Sequence, residues 1–156
     1  MIGKLNHIEI EAVLNSNILG RIGCHADNTT YVVPISYAYD GTYMYGHSNE
    51  GMKLEIMRKN PTVCFEVDET KDLANWKSVI AWGDYEELTD PTERKKALQI
   101  LIDKVIPVLR NSKVHNSDEW PFSPDNLDTI EGVVFRIRLQ NKTGRYEQNM
   151  ATSFFG

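Results

Sequence analysis

No stretch of this chain approaches the roughly 20 consecutive apolar residues that carry a helix across a bilayer. The N-terminal "MIGKLNHIEI" also lacks the apolar core of a secretion signal. No membrane partner is expected, and the default location is the cytoplasm. A basic excess is missing too. The formal charge of −5 argues against nucleic acid as a general partner. Cysteine is scarce: Cys24 and Cys64 stand far apart inside apolar segments, in no C-x-x-C or other ligand-spaced cluster. They are expected to be reduced, buried thiols, with no zinc site and no metal.

The motifs of self-sufficient catalysis are absent as well. There is no G-x-G-x-x-G, no H-E-x-x-H, no Ser-His-Asp order and no arguable pair of catalytic carboxylates. His7, His25 and His115 are scattered without shared spacing. Small enzymes without an acid–base set of their own leave the chemistry to a cofactor.

What is present reads as one domain over residues 1–156, with an ordinary globular balance of 41% hydrophobic and 25% charged residues. "HIEIEAVLN" (7–15) predicts a short helix, with Asn6 and Glu9 as a capping box. "ILGRIGCHA" (18–26), "YVVPISYAY" (31–39) and "TYMYGHS" (42–48) predict strands separated by "DNTT" and the hairpin signal "DG". Such a meander is not a βαβ unit. "GMKLEIMRKN" reads as a helix, "TVCFEVDE" (62–69) and "KSVIAWGDYEEL" (77–88) as strands joined by a polar "KDLAN". Asp90, Pro91 and Glu93 open the clearest helix, which Pro107 is expected to kink or end. Residues 111–128 read as a loop anchored by Trp120 and Phe122, and 130–145 as a long alternating strand with Arg136 and Arg138 on one face. The count is six strands, mostly antiparallel, in a small β-barrel with helices outside.

Three segments could carry chemistry. In "MYGHSNEGMKLEIMRKNP" (44–61), a strand gives way to a helix through Ser48 and Gly51. A helix N-terminus offers unpaired amides and a partial charge of about +0.5. Gly51 would let a ligand approach the backbone, Ser48 could donate a hydrogen bond, Lys53 could supply the countercharge of a phosphate, and His47 could point at the same ligand. The plain alternative is an ordinary capped helix beside a surface lysine. Pro34, in "VVPIS" (32–36), belongs at an edge strand or beside another molecule. Trp82, next to Gly83, could line an aromatic pocket or simply fill a core.

Together, "GRIGCHADNTTYVVPISYAYDGTYMYGHSNEGMKLEIMRKNPTVCFEVDE", "WKSVIAWGDYEEL" and "KTGR" resemble the pyridoxamine 5′-phosphate oxidase-like FMN-binding split barrels. The nearest branch is the nitroimidazole-resistance (Nim)-like one, and the likeness runs from about Leu19 to Arg145. It implies a mainly β fold, a six-stranded antiparallel split barrel with peripheral helices, and a homodimer holding FMN at the subunit interface. By that resemblance Val33, Pro34, Ile35 and Ser36 lie along the flavin ring. Ser48 and Lys53 take the phosphate, with Arg21 as a further contact. His47 touches flavin, phosphate or substrate and is the one candidate proton donor. Lys77, Ser78, Trp82 and Arg145 come toward the flavin. The chain closes with "YEQNMATSFFG", without the Arg-rich substrate signature of the true oxidases, so pyridoxamine phosphate is not the expected substrate. The implied activity is FMN-dependent reduction of a small planar acceptor, such as a nitroaromatic, with NAD(P)H as a possible donor. The alternative is a flavin- or haem-binding carrier or sensor of the same fold.

Overall fold

In the computed structural model, which describes residues 1–111 and 127–149, the chain enters through β1 (Ile2–Lys4) and a helix with a closed capping box, α1 (His7–Ser16). Asn6 Oδ1 accepts from the Glu9 amide at 2.9 Å, and the Glu9 carboxylate accepts from the Asn6 amide at 2.7 Å. This satisfies two of the orphan donors at the helix start. Ile10, Val13 and Leu14 form its buried stripe.

The sheet follows: β2 (Leu19–Ala26), β3 (Thr29–Ser36), β4 (Ala38–Tyr39) and β5 (Tyr43–Ser48), then α2 (Met52–Lys59), β6 (Thr62–Asp72) and β7 (Asn75–Glu87). The long helix α3 (Pro91–Asn111), a 3-10 turn (Leu127–Thr129) and β8 (Val133–Gln148) complete the order. All the pairings are antiparallel, in the spatial order β3-β2-β6-β7-β8-β5-β4, with β1 on the far end of β8. The fold is the mainly β split barrel with peripheral helices.

The strand count is eight among the described residues rather than six. One extra strand is β1, too short to announce itself. The other arises because 31–39 is not one strand. The chain turns at Tyr37, whose amide donates to the Ile18 carbonyl at 2.8 Å and whose ring is fully buried. Before it, β3 pairs with β2; after it, β4 pairs with β5. The expected three-strand meander is therefore broken. β3 and β4 are consecutive in sequence yet stand at opposite ends of the sheet, so the barrel is bridged there by covalent continuity and left split between ladders. Asp27 and Asn28, both at positive φ (50° and 59°), make the tight turn inside "DNTT".

The polar connection expected at 71–75 shrinks to two residues, because β6 and β7 run on to Asp72 and from Asn75. Pro107 lies inside α3 rather than ending it. Trp120, Phe122 and most of the expected 111–128 loop lie outside the described residues. The main core fills the barrel with Ile22, Phe65, Val67, Val79, Phe135 and Ile137. A second cluster packs Leu98, Leu101 and Ile102 of α3 against Ala38, Tyr45 and Val134. No helix among the described residues is long and apolar enough to cross a membrane.

Candidate functional site

The turn between β5 and α2 is built from both sides. Ser48 ends β5, opposite Val133 at the start of β8. Leu54, Ile56 and Met57 anchor α2 in the core. The residue capping α2 is Gly51, and no side chain caps the helix. Its φ of 170° is extended backbone that any residue could adopt, and a Cβ built there meets nothing within 4 Å. No Ser or Asn side chain therefore takes the first amides of the helix, and the space beside the Gly51 Cα is open. The Ser48 hydroxyl is buried and donates to the Asn49 carbonyl at 2.7 Å.

Lys53, the second residue of α2, is half-buried, and among the described residues no carboxylate lies within ion-pairing distance of it. Burial pushes its pKa down, opposed by the Cys24 thiol. A partly desolvated ammonium on the first turn of a helix that no side chain caps fits a phosphate: the helix amides would supply donors and the lysine the charge. A group carrying a phosphate monoester would be held by the Gly51–Lys53 amides and Lys53.

His47 precedes this turn. Its Nε2 is 2.6 Å from the Glu131 carbonyl and therefore carries the proton. Burial holds its pKa below the usual histidine value, with the cations Arg94 and Lys53 adding to the effect and the Glu131 bond opposing it. Arg94 was not legible in the sequence as a site residue. It stands in the first turns of α3 and donates to the carbonyls of Ile130 (2.6 Å) and Gly132 (3.2 Å). Three consecutive carbonyls are thus held by Arg94 and His47. Gly132 is required there, since its φ is +94° and a Cβ would stand 2.7 Å from His47 Nε2.

The remaining candidates lie elsewhere on the chain. Alternation sends Val33 and Ile35 inward, against the core, and leaves Pro34 and Ser36 on the outer face. Arg21, in register with both Pro34 and Glu66, pairs with Glu66 (3.2 Å) and Asp68 (2.8 Å), and Ser78 donates to Glu66 at 3.1 Å. Arg21 is committed to carboxylates on this outer face, away from Lys53. Val32, Gly23, Cys64 and Trp82 form a row across four strands of the same face, with Val32 62% and Trp82 40% exposed. Arg145 is exposed opposite Ser78. Lys77 lines an open cleft of about 900 Å³ at the far end of β8, together with Trp76, Glu69 and Glu147. The structure thus gathers His47, Ser48, Gly51 and Lys53 at one turn, sets Arg21, Ser36 and Ser78 on the outer sheet face, and leaves Lys77 in the cleft at the end of β8.

The fold is shared with known proteins. A sequence profile described as pyridoxamine 5′-phosphate oxidase matches residues 6–146. The chain belongs to this family. A FAD-binding protein from Mesorhizobium loti is 32% identical, over 95% of this chain and 99% of that one, with a TM-score of 0.74. A candidate 5-nitroimidazole antibiotic resistance protein from Bacteroides thetaiotaomicron shares the fold at 21% identity, over 94% of this chain and 87% of that one, with a TM-score of 0.71. An uncharacterised protein of Rhizobium meliloti is 39% identical over 80 residues, 51% of this chain and 53% of its own length. The match therefore spans about half of that relative.

Proposed function

We propose that this family member is a flavin-dependent oxidoreductase that holds FMN by its phosphate at the turn from His47 to Lys53. The observation that carries the reading is Lys53, half-buried and with no carboxylate in ion-pairing distance among the described residues, at a helix start that no side chain caps. Support for a flavin comes from the Mesorhizobium loti relative, described as FAD-binding. Bound flavin supplies hydride or electron transfer, here to a small planar acceptor such as a nitroaromatic, with NAD(P)H as the reductant.

The chain's own residues bind and orient. Lys53 acts as a point charge on the phosphate, and the Gly51–Lys53 amides direct it. His47 donates from Nε2 to the Glu131 carbonyl, and burial holds its pKa below the ordinary histidine value, which disfavours the imidazolium. The outer row of Val32, Gly23, Cys64 and Trp82 offers a flat, partly apolar surface for a second copy of the chain, with the flavin ring between the two. The test is anaerobic: NAD(P)H should bleach the bound flavin, and a nitroimidazole should restore its colour. Electrons that leave the reduced flavin only to oxygen would contradict nitroaromatic reduction and favour a carrier.

A further inference from the structure

The turn that ends in Gly51 has no side-chain cap, and α2 is only eight residues long, so packing of Leu54, Ile56 and Met57 holds it to the core. An ion-pair network adds a hold on Glu50, just before the cap. Arg58, in the last turn of α2, reaches back to Glu50, the residue immediately before the cap. Its Nη1 and Nη2 donate to Glu50 Oε2 and Oε1 at 2.7 and 2.9 Å, a two-bond fork. Its Nε donates to Glu87 of β7 at 2.5 Å, and Glu87 Oε1 also accepts from the Tyr85 hydroxyl at 2.7 Å. The guanidinium therefore ties both ends of α2 to the barrel wall.

Exposed single ion pairs contribute little, but a bidentate arginine inside a network is the geometry that does contribute. Glu50 is 65% exposed and contributes nothing to the core, so the clamp acts on the position of the turn more than on the stability of the fold.

We infer that Arg58 is a positioning residue for the phosphate site: through Glu50 it holds the Gly51–Lys53 amides in the one orientation that binds the cofactor's phosphate. This rests on the flavin reading above. Arg58 itself touches no ligand. Losing it should weaken binding of a phosphate-bearing flavin and leave binding of the ring unaffected.

The test measures dissociation constants of the apoprotein for FMN and for riboflavin, which lacks the phosphate. Wild type should bind FMN more tightly than riboflavin. Equal affinities would overturn the phosphate reading itself. In Arg58→Gln the FMN constant should rise about fivefold, with riboflavin unchanged. Arg58→Lys, which keeps the charge but not the fork, should recover part of the loss. Glu50→Gln should cost as much as Arg58→Gln, and the double variant no more than either. If FMN and riboflavin weaken together, or the two substitutions add, Arg58 is a structural residue only and the inference fails while the Lys53 site stands.

Discussion

A half-buried ammonium without a carboxylate beside it weakens the free protein, and among the described residues Lys53 is in that position. Its folded pKa lies below the unfolded value, so the folded chain binds fewer protons between the two. That penalty is fully present at neutral pH and is relieved only as pH rises through the depressed folded value. Lys53→Met should therefore leave the apoprotein's Tm at pH 7 unchanged or higher, while FMN affinity falls about tenfold or more. A lower Tm with unchanged affinity would make Lys53 structural. His47 gives the complementary pH prediction. Its folded pKa is depressed, so stability rises with pH across the window ending near 6.5 and is lost as pH falls through it. A phosphate placed beside His47 and Lys53 should raise the His47 pKa, seen by NMR titration with and without FMN. A value that ignores FMN would separate His47 from the site.

Glycines separate what the elements need from what a ligand needs. Gly46→Ala would put a Cβ 2.5 Å from the Phe135 ring, and Gly83→Ala would put one 1.8 Å from the Arg138 carbonyl, beside the register shift between β7 and β8. Gly83→Ala should destabilise by about 2 kcal/mol or more, read by chemical denaturation, because backbone cannot yield as a side chain does. Gly51→Ala should change stability by less than about 0.5 kcal/mol yet weaken FMN binding, since only a ligand would meet that Cβ. The same contrast explains what the sequence made legible. The Asn6 and Glu9 box, the Asp40–Gly41 hairpin and the helix after Gly51 are local, and local signals announced them. The break at Tyr37 was not readable, because a buried ring and one bond to Ile18 decide it. Arg94 and Arg58 were hidden for the same reason: each gains its role from partners 8 to 38 residues away.

For the whole molecule, the split sheet leaves an outer face on which Val32, Gly23, Cys64 and Trp82 form a partly apolar row across four strands. Leu19 and Ile80, 54% and 37% exposed, extend it. Val32→Asp places a charge in that row at little cost to the monomer, since Val32 is already exposed. Light scattering should show a dimer for wild type and a monomer for Val32→Asp, with flavin lost alongside. A monomeric wild type would remove the shared interface. The phosphate turn is where the flavin is proposed to be held, and the flavin content of purified wild type and Lys53→Ala tests that assignment. Wild type should carry flavin, visible in its absorption spectrum, and Lys53→Ala should carry far less at an unchanged fold. Full flavin occupancy in Lys53→Ala, or a wild type that takes up no flavin, would contradict it.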